Sequence, residues 1–409
     1  MASALEWLYG LEQFGIKFGL ENISILVEAL DHPERAFRSV HVAGTNGKGS
    51  VTAMVESVLR YAGYRSARYT SPHLIDLAER FFIRGKPVDA ETLARAVEKI
   101  RAVVEGLRSR GSLEVSPTFF EVTTALAFDL FRTAEVEVAV CEVGLGGRLD
   151  ATNVLMPEVC AITSIGLDHE KYLGTTLREI AFEKAGIIKD GVPVVVGRLD
   201  PEARETIAEI ASARHAPLVT AAPAHEVETL AIGLRGLHQA ENAGVALKII
   251  ELLDARGITV PRAATEEGFA HVSWPGRLDV RRLADGREVL LDAAHNPDGA
   301  RALAAYLRTS PFSGAPLVFA ALRDKDVDGI LRALAPDTGP MLMTRASSSR
   351  AADPAELAAR LRLIAPAHSA EVVPSPSDAV DAAWRISNRI IVAGSIFLLG
   401  DLLKDGRWS

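Results

Sequence analysis

Residues Gly44-Thr45-Asn46-Gly47-Lys48-Gly49-Ser50 place three glycines, a lysine and a closing serine within seven positions. Glycines let main-chain N–H groups approach phosphate oxygens, and a helix starting beside them adds partial positive charge. Lys48 is placed to bridge the β- and γ-phosphates, and Ser50 to face a magnesium ion. In the usual phosphate loop the hydroxyl residue follows the lysine directly, whereas Gly49 intervenes here. A glycine-rich turn without a ligand is the competing reading.

Three further positions carry charge where an apolar pattern would not. Glu142 closes an apolar run and precedes GLGGRLDATN. In open α/β sheets ligands bind outside the carboxyl ends of the strands, so a carboxylate there suits magnesium. It equally suits a structural Arg or Lys. Asp168-His169 follows the next apolar run. A neutral imidazole can ligate a metal or orient a carboxylate, and a purely structural histidine is the plain alternative. Thr176 and Glu179 have capping-box spacing, which predicts a helix starting at Thr176. At about 100° per residue, Leu177, Ile180, Ala181 and Lys184 then share one face. A buried ammonium is costly without a partner. Snorkelling, pairing with an acid, or modification that removes the charge would each relieve it.

These residues need strand ends and helix starts to hold them. The run 37–42 reads as a strand leading into the glycine loop. Val51, Met54, Val55, Val58 and Leu59 then follow helical spacing, with Gly63 as a stop. Strands are also predicted at 66–70, 136–143, 159–165 and 192–197, and a helical insertion followed by a loop at 85–115. Strands alternating with helices imply a wound, mostly parallel sheet. A second α/β series has strands at 289–292, 317–321, 341–344 and 390–393, with helices at 298–307 and 354–361. The Trp274-Pro275-Gly276 breaker sets the expected boundary, giving domains 1–275 and 276–409.

Composition narrows the classes. The chain has 409 residues, 48% hydrophobic and 24% charged, which excludes disorder and a collagen-like structure. Its net charge of −8 disfavours nucleic acid as a partner. Cys141 and Cys160 are the only cysteines. They are too few for a disulfide framework or a Cys-rich zinc site, and fit a reducing cytosol. The first residues lack a basic stretch followed by an apolar one, so no secretory signal is expected. No apolar run reaches the roughly 20 residues a membrane span needs. Without heptads or an exposed apolar stripe, a cytoplasmic monomer is expected.

Taken together, HVAGTNGKGS, TSPHL, TFFEVTTALAF, EVGLGGRLDATN, SIGLDHEKYLG, EKAGIIK, LHQAENA, WPGRLD, LDAAHNPDGA and GSIFLLG resemble the folylpolyglutamate synthase/dihydrofolate synthase family, a branch of the Mur-type amide ligases. They occur in the family's order from residue 41 to 400. The resemblance implies a Mur-ligase-type, phosphate-loop ATPase domain followed by a smaller Rossmann-like α/β domain. It implies ATP-dependent joining of L-glutamate to a pteroate or folate carboxylate through an acyl phosphate. Carried over by motif, ATP would lie on Asn46, Gly47, Lys48, Gly49, Ser50, Asn242, Arg277 and Asp292. A first magnesium would be held by Ser71, Glu142 and His169. Lys184 matches the lysine the family carbamylates, which could hold a second magnesium. His295 would serve the acyl phosphate or the incoming glutamate. Thr118, Phe119, Phe120, Glu121, Leu149, Asp150 and Ala151 would contact the pterin. The family also allows dependence on potassium. One departure is Ala293, where the family commonly has glycine.

The residues leave alternatives beside these roles. Asn242 falls off the apolar face of Ala240, Ala243, Gly244 and Leu247, so it could be a cap or a surface amide. Arg277 could form a salt bridge, Asp292 and His295 could cap the helix at 298, and Phe119 or Phe120 must face the core. Three functions compete: the folate-type ligase, in bifunctional or tail-extending form; a cell-wall Mur ligase; and a nucleotide-dependent switch without ligation. The pterin segments and the lack of an extra N-terminal domain disfavour the second.

Overall fold

The computed structural model describes residues 2–15, 17–406 and 408. The chain forms two compact units, Met1–Gly233 with Ala240–Val272 and Leu234–Gln239 with Ser273–Ser409. The boundary expected at 275–276 therefore differs in two details. It falls between Val272 and Ser273, and residues 234–239 count with the second unit.

The first unit contains an eight-stranded sheet: β1 (Arg38–Ala43), β2 (Ser66–Tyr69), β3 (Phe81–Ile83), β4 (Lys86–Pro87), β5 (Val138–Glu142), β6 (Val159–Ile162), β7 (Val194–Val196) and β8 (Leu218–Thr220). Its order is β4-β3-β2-β5-β1-β6-β7-β8, and all neighbours from β2 to β8 are parallel. β5, β6 and β7 are buried along their whole length, as parallel strands covered on both faces must be. Helices Lys48–Tyr61, Phe119–Thr133, Leu177–Ala185 and Pro201–Ala213 make the crossovers. One apolar cluster gathers Phe37, Phe128 and Phe131, and another Ile162, Ile187, Val194 and Ile207.

Some elements have no clear sequence signal. β3 and β4 form an antiparallel edge hairpin, with Ile83 paired to Lys86. Its two loop residues, Arg84 and Gly85, have φ of 51° and 78°. Such turns match the strand twist but usually carry Asn-Gly or Asp-Gly, so Arg-Gly hides this one. β8 is equally short. The strand predicted to reach residue 165 stops at Ile162, because Thr163 and Ser164 turn their hydroxyls onto the glycine loop.

The second unit holds β9 (Asp279–Arg282), β10 (Glu288–Asp292), β11 (Leu317–Phe319), β12 (Met341–Met343), β13 (Ala370–Val372) and β14 (Arg389–Ala393), in the order β13-β12-β11-β14-β10-β9. Only β9 runs antiparallel. Its core is built from Leu303, Phe319, Ile330, Leu331 and Ile391 among others. Among the described residues no helix is long and apolar enough to cross a membrane.

Candidate active site

β1 ends at Ala43, and the Lys48–Tyr61 helix begins after Gly47. The loop between them is tied to the chain that leaves β6. Thr45 N donates to Ser164 O at 2.8 Å, and Asn46 N donates to Ser164 Oγ at 2.9 Å. Asn46 O accepts from Thr163 Oγ1 at 2.6 Å and from Ser164 Oγ at 3.0 Å. Two glycines are required by space and φ. A Cβ on Gly44 (φ +149°) would stand 2.0 Å from Thr163 Oγ1, and one on Gly47 (φ +88°) would stand 2.2 Å from Asn242 Oδ1. The Asn242 amide, on helix Leu237–Ala255, thus leans against the loop. Ser50 is buried, whereas Asn46, Gly47, Lys48 and Gly49 are half-buried.

Two lysines converge on one carbonyl. Lys48 Nζ donates to Gly44 O at 3.1 Å and to Thr45 O at 3.3 Å, and Lys184 Nζ donates to Gly44 O at 2.9 Å. Lys184 is 5% exposed, so it does not snorkel. The predicted helix start is observed: Thr176 caps Leu177–Ala185 in a reciprocal box with Glu179. Burial first, and then the nearby Lys48 charge, lower the Lys184 amine from its ordinary 10.5 to about 7, against the pull of Asp168 and Asp150.

The carboxyl ends of β5, β1 and β6 lie level, since Val42 pairs with Glu142 and Ala43 with Ile162. Glu142 is buried, and its Oε2 accepts from Ser71 N at 3.2 Å. His169 sits on the loop beyond β6 in a left-handed conformation, φ 54°. Its N–H donates to Asp168 Oδ1 at 2.8 Å, and its Nε2 lies 3.9 Å from the same oxygen. Among the described residues no cluster of three or more His, Cys, Asp or Glu side chains makes a ready-made metal cage. Magnesium seldom uses such cages; it takes one or two carboxylates and completes its shell with water and substrate phosphates. The oxygens of Glu142, Ser71 and Ser50 near the loop fit that ion, with the His169 nitrogen the least typical donor.

The Thr118–Glu121 segment opens helix Phe119–Thr133. Glu121 Oε2 accepts from Thr118 N (2.7 Å), Thr118 Oγ1 (2.9 Å) and Asn22 Nδ2 (3.4 Å). Its other oxygen, Oε1, is buried with no partner. Phe119 is the ring that faces the core. Phe120 is half-buried and lies on Gly144, where a Cβ would stand 2.5 Å from its Cζ. Asp150 and Ala151 are buried and Leu149 is half-buried. Asp150 caps the short turn Ala151–Val154, and burial raises its pKa despite four donors. No sequence pattern singles out Arg80, a buried guanidinium whose Nε donates to His73 Nδ1 at 3.0 Å and which stands over the Phe119 ring. Its placement by the edge hairpin leaves no local signal.

In the second unit Asp292 ends β10, 7% exposed. Its oxygens accept from Leu278 N at 2.8 Å and Ala294 N at 2.9 Å. Burial raises its pKa, while the charges of Arg277 and His238 pull it down. Arg277 is half-buried and donates to Gly276 O at 3.3 Å. His295 Nδ1 lies 2.9 Å from Ala293 O. Neither Asp292 nor His295 caps the Pro297–Leu307 helix. Asn296 does, accepting from Gly299 N. Ala293 is buried and its N–H still reaches Gly276 O, at 2.8 Å.

Comparison with known proteins agrees with this arrangement. The Mur ligase middle domain matches residues 42–231, and the Mur ligase glutamate ligase domain matches 276–396. A Bacillus subtilis dihydrofolate synthase/folylpolyglutamate synthase is 37% identical over 81% of this chain and 82% of its own. The Mycobacterium tuberculosis folylpolyglutamate synthase, solved with ADP and AMPPCP, superposes with a TM-score of 0.89 at 34% identity, covering 100% of this chain and 99% of that one. A bifunctional folylpolyglutamate synthase/dihydrofolate synthase with Mn, AMPPNP and L-glutamate bound superposes with a TM-score of 0.85 at 30% identity, over 98% and 97%. Two matched domains in the same order, with relatives spanning nearly the whole chain, place this protein in the folylpolyglutamate synthase/dihydrofolate synthase family of Mur-type, ATP-dependent amide ligases.

Proposed function

We propose that this chain joins L-glutamate to the carboxylate of dihydropteroate and of reduced folates, consuming ATP. The observation that carries this reading is the convergence on one strand edge of the Gly44–Ser50 loop, Glu142 with Ser71, and the buried Lys184 on Gly44 O. A substrate carboxylate attacks the γ-phosphate, ADP leaves, and the amine of glutamate displaces phosphate from the acyl phosphate. Phosphoryl transfer needs charge neutralisation and in-line positioning more than covalent help. Main-chain N–H groups from Gly47 to Ser50 and the Lys48 ammonium supply fixed positive charge for the triphosphate. Lys48 now rests on two loop carbonyls within reach of its own loop, so a triphosphate exchanges one set of acceptors for a stronger one. Asn242 steadies the loop at Gly47.

Ser71, Glu142 and His169 would hold one magnesium ion and a carbamylated Lys184 a second; bound there, they would neutralise developing charge on the phosphates. Carbamylation joins a neutral amine to CO2 and releases one proton, and an amine poised near 7 supplies that neutral form. Arg277 and Asp292 are assigned to the nucleotide, and His295 to the acyl phosphate or glutamate. Thr118, Phe119, Phe120, Glu121, Leu149, Asp150 and Ala151 are assigned to the pterin. Phe120 offers the flat apolar face, and Glu121 Oε1 is a buried acceptor without a partner beside it. A monomeric state and a cytoplasmic location complete the reading, and the family allows a dependence on potassium.

ADP release measured with and without L-glutamate, dihydropteroate and tetrahydrofolate tests it. Turnover should require glutamate together with an acceptor, and product mass should rise by one glutamyl unit. Turnover independent of either substrate would overturn the reading. Comparing the two acceptors separates a bifunctional enzyme from one that only extends the tail.

A further inference from the structure

His41 lies on β1, fully buried, with Nε2 2.8 Å from Thr152 Oγ1. Thr152 Oγ1 donates to Asp150 Oδ1 at 2.5 Å, and Thr152 N donates to the same oxygen at 3.0 Å. Asp150 Oδ2 accepts from Leu145 N at 2.9 Å. The carboxylate therefore ties residue 145 to residue 152, across the turn that contains Leu149–Ala151.

The direction of the chain of bonds follows from proton counting. A threonine hydroxyl has one proton to give. Given to Asp150, it leaves Oγ1 as an acceptor, so His41 donates through Nε2–H. The remaining ring nitrogen, Nδ1, is buried with no partner. A bare acceptor there is tolerable, whereas a second buried N–H would be a costly orphan. Burial and the Lys189 charge also push the imidazole down to about 3, so the ring keeps this neutral form. A strand position flanked by Val40 and Val42 would accept an apolar side chain with less desolvation cost. The polar ring is thus explained by what it orients.

We propose that His41 and Thr152 are positioning residues for the acceptor substrate: they fix the backbone of residues 149–151 from the same strand that launches the phosphate loop. This rests on the assignment of Leu149–Ala151 to the pterin. The strand that leads into the phosphoryl donor loop then also anchors the acceptor segment.

The test is steady-state kinetics on five full-length variants, with Tm as the check on folding. Thr152→Val keeps shape and loses the hydroxyl, and His41→Phe keeps bulk and loses the donor. Both should raise the acceptor KM about tenfold, the equivalent of one well-made buried bond, and leave the KM for ATP and for glutamate within about twofold. His41→Gln, which returns an N–H near the Nε2 place, and Thr152→Ser should restore the acceptor KM. Equal rises in all three KM values, or no rescue, would mean general loosening and overturn the proposal. Should His41→Phe not fold, the Thr152→Val and Thr152→Ser pair decides. Leu149→Ala separates the two layers. If it raises the acceptor KM while Thr152→Val does not, the relay falls and the acceptor site stands. If Leu149→Ala leaves that KM unchanged, the acceptor site falls and the relay with it.

Discussion

Lys48 and Lys184 share Gly44 O yet answer to different demands. Lys48 is half-buried, and its bonds are to loop carbonyls that water could serve. Lys48→Ala should abolish ATP turnover while moving Tm little. Normal turnover in that variant would remove the loop from the reaction. Lys184 carries its cost in the folded state itself. With its amine lowered from 10.5 to about 7, the folded chain binds fewer protons than the unfolded chain between those values. Stability from this group therefore rises as pH climbs from about 7 to 10.5, is complete above that window, and is lost as pH falls through 7. Lys184→Met removes the titration. In CO2-free buffer the unfolding free energy of the wild type minus that of the variant should grow across the window. Parallel curves from urea titrations at several pH values would show that the amine is not held as described.

The element that presents the loop is itself held from behind. Gly268, in helix Arg262–Ala270, faces helix Lys48–Tyr61 so closely that a Cβ would stand 2.5 Å from Val58 Cα. Main chain cannot yield as a side-chain tip can. Gly268→Ala should cost about 1–3 kcal/mol of stability and raise the KM for ATP, because the helix start and the loop move together. Unchanged denaturation and KM would mean that the two helices part without consequence. Elements with a repeated pattern were readable from residues alone. The glycine loop, the Thr176 cap and the Lys184 stripe needed only local chemistry, and the long apolar runs marked β5 and β6. Elements whose definition lies in partners were not readable. The Arg84-Gly85 hairpin is a φ requirement met by an uncommon residue, and β8 and β13 are three-residue edges defined by the strand beside them. The site divided the same way. Asn242 is assigned to the nucleotide only through the family motif, and its approach to Gly47 has no local signal. Arg80 beside Phe119, and His41 behind Asp150, are contacts between distant segments that no spacing encodes.

At the scale of the molecule, each unit has an apolar core of its own. Phe128, Phe131 and Leu26 belong to one in the first unit, and Leu303, Phe319 and Ile391 to that of the second. A unit with its own core can in principle melt on its own. Calorimetry should therefore resolve two transitions, and Gly268→Ala, which disturbs only the first unit, should lower one of them. The phosphate loop, Glu142, Ser71 and Lys184 all lie in that same unit. AMPPNP with magnesium should accordingly raise the transition that Gly268→Ala lowers. At about 100 times Kd, linkage gives roughly 2.7 kcal/mol, a shift of about 5–10 °C for a unit of this size. The assignment is sharp because the two perturbations, one apolar and remote from the loop, the other ionic and at it, must act on the same peak in opposite directions. A nucleotide shift confined to the other transition would separate the phosphate site from the sheet that carries Gly44–Ser50. A single transition moved by both would make the two cores one cooperative body.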